Sequence, residues 1–221
     1  VLAACSQPEE PKQPASPPAE APAQPTTSAA APAPVVSPLL QEGESFRVAS
    51  AEAESAKPRV QEFFSYACPH CYTMEGFVHD WLGKKPKAIG FERVPVVFRP
   101  EWEIYAKAYY LGEELGLLER SHEAVFKRVH DEKKPFQNEA EMVEFFVGLG
   151  AQREAVQGAL AGPRLAERVG QAQALTARYQ IGSTPSFVVN EKYYTDARMG
   201  GERLGEVMDA LALRNKPAIF Q

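Results

Sequence analysis

Cysteine is scarce in this chain, with three residues among 221. That number excludes a small domain held together by a framework of disulfides. The sequence also lacks the run of about 18 consecutive apolar residues that predicts a transmembrane helix. No long cluster of Lys and Arg occurs either, and the net charge is −5, which argues against nucleic acid as the main partner.

One long segment lacks the apolar residues that a folded core needs. From Ser6 to Pro38 the sequence is nearly all Pro, Ala, Ser, Thr, Gln and Glu. Such a composition cannot bury enough apolar surface to offset the entropy of ordering. We therefore predict a disordered Pro/Ala-rich linker over residues 6–40, stiffened by polyproline II conformation. The remainder, residues 41–221, has the size of one ordinary domain.

The first five residues carry a separate signal. The sequence VLAAC does not begin with Met and ends in Cys5 after small residues, and it resembles the end of a bacterial lipoprotein signal peptide. That resemblance implies cleavage before Cys5 and attachment of a diacylglyceryl group to its sulfur. The alternative is an apolar N-terminus that contains an unrelated cysteine.

The other two cysteines, Cys68 and Cys71, form a CxxC motif. A loop this short closes little chain entropy, which makes a purely structural disulfide a weak explanation. Zinc usually requires two further ligands, and the four histidines show no paired ligand spacing. A c-type haem requires His directly after the second cysteine, where this chain has Tyr72. Redox chemistry is the strongest interpretation, while metal binding and an inert staple remain as alternatives.

The residues around the motif favour redox chemistry. Arg59–Tyr66 is rich in Val and aromatic residues and predicts a buried strand, and the apolar spacing from Cys71 to Leu82 predicts a helix. Cys68 then lies at the N-terminus of that helix, where free N–H groups stabilise a thiolate. Pro69 suits the first helical turn. His70, if protonated, adds a charge-assisted interaction.

The segment EFFSYACPHCY resembles the active site of the DsbA family of thiol oxidases, and the likeness extends over roughly Arg59 to Leu213. It implies an α/β thioredoxin fold with an inserted helical domain. The dipeptide Pro69-His70 is the specific part of the match, since a bare CxxC also occurs in reductases, isomerases and metal sites. A substrate thiolate would attack the sulfur of Cys68, and Cys71 would be the more buried resolving thiol.

A second match with the family lies at Thr184-Pro185, before the predicted strand Ser186–Val189. Proline at the start of a strand is tolerated in many folds. The resemblance implies more: a cis peptide bond before Pro185, packed against the CPHC helix. Thr184 would offer its backbone to an extended substrate. Many DsbA relatives have Val at this position, and the hydroxyl of Thr184 would tune the stability of the mixed disulfide.

Helical periodicity dominates the sequence between these two matches. It predicts an inserted helical domain over about residues 101–179, between thioredoxin halves at 41–100 and 180–221. Ser121 and Asn138 are predicted helix N-caps, and Gly148 a helix end. The predicted elements of the thioredoxin halves and their connections are a strand at Ile89–Phe98, a helix at Pro163–Tyr179, a strand at Lys192–Thr195 and a last helix at Gly201–Leu213.

Ionisable residues near the motif are candidates for proton transfer. Glu62 lies within an apolar strand six residues before Cys68. In thioredoxin-like proteins, an acid at this place moves the proton of the buried thiol, and burial would raise its pKa toward neutrality. The alternative is a strand-edge glutamate that faces water. We expect Glu75 to be a solvated helix residue, and the histidines at 79, 122 and 130 to lie on the surface.

The resemblance implies a periplasmic oxidase, which we expect to be a monomer. The lipoprotein-like N-terminus implies that it is tethered through Cys5, most simply to the inner membrane. It would oxidise reduced secreted or outer-membrane proteins, and a membrane quinone reductase of the DsbB type would re-oxidise it. No cofactor is expected, because the dithiol is itself the redox centre. The alternatives are a copper-delivery lipoprotein of thioredoxin fold, a tethered binding protein with an inert disulfide, and a disulfide isomerase or reductase.

Overall fold

The computed structural model describes residues 39–52 and 54–215. Most of the predicted linker and Cys5 lie outside these residues. Within the described part the chain forms a mixed α/β fold. Its strands are β1 (Arg47–Val48), β2 (Arg59–Phe64), β3 (Gly90–Pro95), β4 (Ser186–Val189) and β5 (Tyr193–Asp196). Its α-helices are α1 (Pro69–Lys84), α2 (Glu103–Glu114), α3 (Leu118–His130), α4 (Glu139–Gly148), α5 (Arg153–Ala161), α6 (Pro163–Arg178) and α7 (Gly201–Leu213).

One sheet organises these elements in the order β1-β5-β4-β2-β3. Strands β2 and β3 are parallel and are joined through α1, whereas the other pairs are antiparallel. Strand β2 therefore lies inside the sheet, and five of its six residues are buried. Its carboxyl end leads directly into the turn that carries the cysteines.

Two clusters of buried apolar side chains hold the layers together. In β4, Phe187 and Val189 belong to one cluster with α1 and α7, while Val188 belongs to the other cluster with α2–α6. This alternation is the period-two pattern of a strand that is buried on both faces. Five consecutive helices, α2–α6, lie between β3 and β4, as the sequence predicts. That this segment forms an inserted domain stays a prediction.

Most predicted elements are confirmed, with shifts of a few residues at their ends. Strand β4 and helix α7 have the predicted bounds. Asn138 caps α4 by accepting a hydrogen bond from the Glu141 N–H at 3.0 Å. The prediction for Ser121 is wrong: it lies inside α3, which begins at Leu118. Ser121 is buried against Gly112 of α2, where a Cβ on the glycine would collide with the serine hydroxyl.

Candidate active site

The turn between β2 and α1 places Cys68 at the start of the helix. The Cys68 N–H donates to the Ser65 carbonyl at 3.0 Å, and the Ala67 N–H donates to the Ser65 hydroxyl at 3.2 Å. Cys68 is the N-cap of α1 with an extended backbone, and Pro69 occupies the first helical turn. Proline fits there because its missing N–H would have no partner within the helix.

The thiolate form of Cys68 is strongly favoured. Its pKa is lowered to about 5, chiefly because the Cys71 thiol donates a hydrogen bond to it. Burial acts in the opposite direction, but hydrogen bonds from the Thr184 side chain and from the backbone of Cys71 and His70 lower the pKa further. At pH 7 a thiol with this pKa is roughly 99% ionised. Cys68 is therefore a good leaving group in thiol–disulfide exchange.

Cys71 lies one turn away in an opposite environment. It is fully buried, whereas Cys68 retains 7% exposure. Burial raises the pKa of Cys71 well above that of a free thiol, and the hydrogen bond to Cys68 and the charge of Glu62 raise it further. Both cysteines are free thiols in this structure. Cys71 thus stays protonated while Cys68 is ionised.

The segment before β4 forms the other wall of the site. The peptide bond between Thr184 and Pro185 is cis, as predicted. The Cys68 Sγ lies 3.4 Å from the Thr184 carbonyl oxygen. A hollow of about 470 Å³ beside them is lined on the helix side by His70, Thr73 and Met74. Thr184 is thereby placed beside the sulfur of Cys68.

His70 takes part through its backbone. Its N–H is one of the groups that lower the pKa of Cys68, while its side chain is exposed at the surface. The predicted contribution of a protonated His70 ring to the thiolate stays a prediction. The expected roles of Pro69, Thr184 and Pro185 in substrate exchange stay predictions too.

Glu62 is 0% exposed, and burial raises its pKa to about 7. Its Oε2 accepts a hydrogen bond from Arg93 Nε at 2.9 Å, which acts in the opposite direction on the pKa. The two residues are paired positions of the parallel strands β2 and β3. The prediction of a buried acid with a near-neutral pKa is confirmed, and the strand-edge alternative is excluded.

The expectation that Glu75 is solvated is wrong. Its Oε2 accepts from Arg93 Nη2 at 3.2 Å and lies 3.1 Å from His122 Nε2. Burial acts to raise the pKa of Glu75, but the hydrogen bond from His122 and the charge of Arg93 outweigh it and lower the pKa. Arg93 therefore joins two acids beneath the cysteines, Glu62 from β2 and Glu75 from α1.

Of the three histidines expected on the surface, one is buried and one is half-buried. His122 is 8% exposed, and its Nδ1 lies 2.8 Å from the Tyr66 hydroxyl. Burial lowers the pKa of His122, which keeps the ring neutral. His130 is half-buried, stacks on Tyr72 and lies 2.8 Å from the Tyr66 carbonyl through Nε2. The expectation is confirmed for His79, whose side chain is 89% exposed.

Sequence reasoning missed this polar network because its members come from β2, α1, β3 and α3. One signal was present. A carboxylate predicted to be buried requires a cation, and Arg93 lies in the predicted neighbouring strand.

In the described part of the chain, no group of three or more His, Cys, Asp or Glu side chains is arranged to hold a metal ion. No helix there has the length and apolar character that a membrane crossing requires.

Comparisons with known proteins agree with this geometry. Residues 91–212 match the family described as a DSBA-like thioredoxin domain. The chain is 33% identical over 168 residues to the thiol:disulfide interchange protein DsbA of Azotobacter vinelandii, and the match covers 75% of this chain and 78% of that protein. The corresponding protein of Pseudomonas aeruginosa is 31% identical over 149 residues, covering 67% of this chain and 71% of the relative.

Solved structures show the same likeness. A crystal structure of Pseudomonas aeruginosa DsbA superposes with a TM-score of 0.71 at 28% identity, covering 77% of this chain and 91% of that one. The oxidoreductase DsbA from Xylella fastidiosa superposes with a TM-score of 0.72 at 28% identity, covering 80% of this chain and 97% of that one. With such coverage, the similarity extends over most of the residues that the structure describes.

Proposed function

The chain belongs to the DsbA family of thiol:disulfide oxidoreductases, and on that premise we propose that it donates the Cys68–Cys71 disulfide to secreted proteins in the periplasm. The redox centre is the cysteine pair itself. The observation that carries the proposal is the opposite electrostatics of the two thiols, with the pKa of Cys68 lowered to about 5 and that of Cys71 raised. A stabilised Cys68 thiolate favours the reduced protein, which makes the disulfide a ready oxidant.

The reaction consists of two thiol–disulfide exchanges. A substrate thiolate attacks Cys68 Sγ, a substrate–Cys68 bond forms, and the Cys68–Cys71 bond breaks. Cys71 leaves and takes a proton. The second substrate thiolate then attacks the substrate sulfur of the mixed disulfide, and Cys68 leaves as a thiolate. The substrate loses two electrons and the protein gains them, so no further oxidant is needed in this half of the cycle.

Four residues assist these exchanges. Glu62, whose pKa is about 7, supplies and removes the proton of Cys71, because an acid with such a pKa exchanges protons readily at neutral pH. The backbone of Thr184, beside the Cys68 sulfur, positions an extended substrate for in-line attack. His70 and Pro69 complete the helix N-terminus that holds the thiolate.

The direct experiment mixes the oxidised protein, in stoichiometric amount, with a reduced peptide that contains two cysteines. We expect the peptide to become a disulfide while Cys68 and Cys71 become thiols, as counted by mass spectrometry after alkylation. Cys68→Ser is the matched control and should leave the peptide reduced. If the parent keeps its disulfide in the presence of excess dithiol peptide, the disulfide is inert and the proposal fails.

The catalytic cycle also needs re-oxidation. A membrane quinone reductase of the DsbB type is the partner that the family membership suggests, and the same hollow beside Cys68 and Pro185 would receive it. The N-terminal sequence VLAAC supports a lipid anchor on Cys5, which would keep the enzyme at the membrane that holds this partner. As a flexible coil, the predicted linker over residues 6–40 would span roughly 35 Å. That length allows the domain to reach both a membrane partner and free substrates.

The anchor is tested with Cys5→Ser in cells. We expect this variant to be released in soluble form and still to oxidise peptides in vitro, but to be more reduced in the cell because re-oxidation becomes bimolecular. Retention of Cys5→Ser in the membrane fraction would contradict the anchor. A redox state identical to that of the parent would contradict the advantage of tethering.

A further inference from the structure

A second cavity lies beside the loop before Pro185. Its volume is about 270 Å³, and its lining comes from residues 43–47, from the loop at Gly182 and Ser183, and from the segment 194–199 except Ala197. Three residues, Ser183, Asp196 and Arg198, also line the hollow that contains His70 and Pro185. The two spaces therefore share a wall, but the disulfide exchange described above uses none of the groups in the second one.

Arg198 stands at this shared wall in a fixed position. Its Nε donates to both oxygens of Asp196, at 2.9 and 3.0 Å, and its backbone N–H donates to the same carboxylate at 3.1 Å. Asp196 is 8% exposed and also accepts from the Tyr194 hydroxyl at 3.2 Å. The Tyr194 hydroxyl lies 3.0 Å from that of Ser186, which donates to the Ser183 carbonyl at 2.7 Å. The guanidinium is thus connected to the backbone next to Thr184.

The outer end of this guanidinium is unused. The Arg198 side chain is 88% exposed, and within residues 39–52 and 54–215 its two terminal nitrogens have no hydrogen-bond partner. A guanidinium can only donate hydrogen bonds. The rim of the cavity therefore offers the two terminal nitrogens of Arg198 to an acceptor that the described residues do not supply.

The other charged groups of the cavity do not change this preference. Asp196 is fully engaged by Arg198 and Tyr194. Arg47 donates to the carbonyls of Tyr179 and Gln180 and lies over the Tyr194 ring. Glu44 is exposed at the edge and would weaken the attraction of an anion somewhat. A ligand with an ammonium group would meet two arginines, with Glu44 as its nearest carboxylate outside the Arg198 ion pair.

We propose that this cavity is a subsite for an acidic side chain of the substrate polypeptide, bound by the terminal nitrogens of Arg198 at the rim. The inference rests on the proposed function and specifies its substrate class. Thr184 lies at the Cys68 sulfur, and its neighbour Ser183 lines the cavity. Since an extended chain advances about 3.3 Å per residue, an Asp or Glu roughly two to four residues from the attacking cysteine reaches it.

The test measures kcat/KM for the oxidation of a set of reduced peptides, each with the same two cysteines and with Asp, Asn or Lys at one of eight flanking positions. We expect Asp to exceed Asn by about fivefold at one or two adjacent positions and to equal it elsewhere. Arg198→Gln should reduce this ratio to near 1, and Arg198→Glu should make Lys the preferred residue at the same positions.

Net charge is controlled with Arg120→Glu, which changes the charge by the same amount as Arg198→Glu on an exposed position of α3 that lines neither cavity. We expect Arg120→Glu to keep the positional preference of the parent. The proposal is overturned if the parent shows no preference for Asp, if the preference is equal at all positions, if Arg198→Gln retains it, or if Arg120→Glu alters it as Arg198→Glu does. Failure to oxidise even the Asn peptides would instead overturn the proposed function.

Discussion

The rim of the site, around Cys68, and its floor, around Cys71 and Glu62, affect ionisable groups in opposite ways, although Cys68 and Cys71 are only one helical turn apart. At the rim, hydrogen bonds from Cys71, Thr184 and the backbone outweigh burial and lower the pKa of Cys68 to about 5. At the floor, burial dominates, and it raises the pKa of Cys71 and that of Glu62. The comparison teaches that the number of hydrogen-bond donors around each sulfur, rather than the position of the cysteine in the CxxC motif, decides which cysteine reacts.

The largest difference between the two regions should appear in alkylation rates. Cys71→Ser retains only the rim thiol, and Cys68→Ser retains only the floor thiol. At pH 6 we expect iodoacetamide to modify Cys71→Ser about a thousandfold faster, because Cys68 is ionised and Cys71 is protonated and enclosed. Stopped-flow or quenched alkylation followed by mass spectrometry measures both rates. Similar rates would remove the distinction between rim and floor.

The floor is tested separately through the pH dependence of stability. The folded pKa of Glu62, about 7, lies above its ordinary value of 4.5. The contribution of this group to folding is therefore complete below pH 4.5 and is lost as the pH rises through 7. We expect Glu62→Gln, which cannot ionise, to gain up to about 3 kcal/mol relative to the parent as the pH rises from about 4.5 to about 8.

Urea unfolding of the oxidised proteins measures this difference, because oxidation removes the thiolate of Cys68 from the balance. The exposed Glu206→Gln is the control and should follow the parent. A difference between Glu62→Gln and the parent that stays constant with pH would show that Glu62 titrates normally. The pH dependence of stability has the opposite sign for Cys68 at the rim. In the reduced protein, its lowered pKa adds to the free energy of unfolding as the pH rises above 5.

A smaller effect is expected for the network under the floor. His122→Phe removes the partner of the Tyr66 hydroxyl and one partner of Glu75. Leaving buried polar groups without partners should cost about 2 kcal/mol in the free energy of unfolding. His79→Phe is the matched control on an exposed site and should change stability by less than about 0.5 kcal/mol. Equal effects of the two substitutions would show that the His122 contacts contribute nothing.

The smallest expected effect concerns the rim side chain of His70. His70→Ser keeps the backbone N–H that lowers the pKa of Cys68 and removes only an exposed ring. Because exposed charge interactions are weak, we expect a roughly two- to fivefold shift of the glutathione equilibrium toward the oxidised protein, with folding unchanged. No shift would mean that the hydrogen bonds of the helix N-terminus suffice alone. A shift above about a hundredfold would make the ring the dominant group.

Local pattern was enough to predict most of the fold. The sequence predicts a last helix over Gly201–Leu213, and α7 has these bounds. Ser121 shows where such signals fail. Its residue type predicts an N-cap, but the close contact with Gly112 of α2 places it inside a helix. That contact joins two helices and leaves no trace in the local sequence.

The residues of the site also divide into those that the sequence predicts and those that it does not. Cys68, Pro69 and Cys71 could be placed from the sequence because the strand, the turn and the helix follow one another directly. Glu75 and His122 could not, because each lies on an amphipathic helix whose polar positions normally face water. Only the three-dimensional packing of α1, β3 and α3 turns these positions inward around Arg93.

The most direct test of the rim–floor asymmetry is the equilibrium between the protein and glutathione as a function of pH. Reduction by two glutathione molecules yields one Cys68 thiolate, one Cys71 thiol and one released proton, as long as the pH exceeds the pKa of Cys68, about 5. The equilibrium constant for reduction of the protein should therefore rise about tenfold per pH unit from about pH 5.5 to about pH 8. A constant value across this range would mean that Cys68 remains protonated, and it would contradict the assignment of Cys68 as the stabilised thiolate.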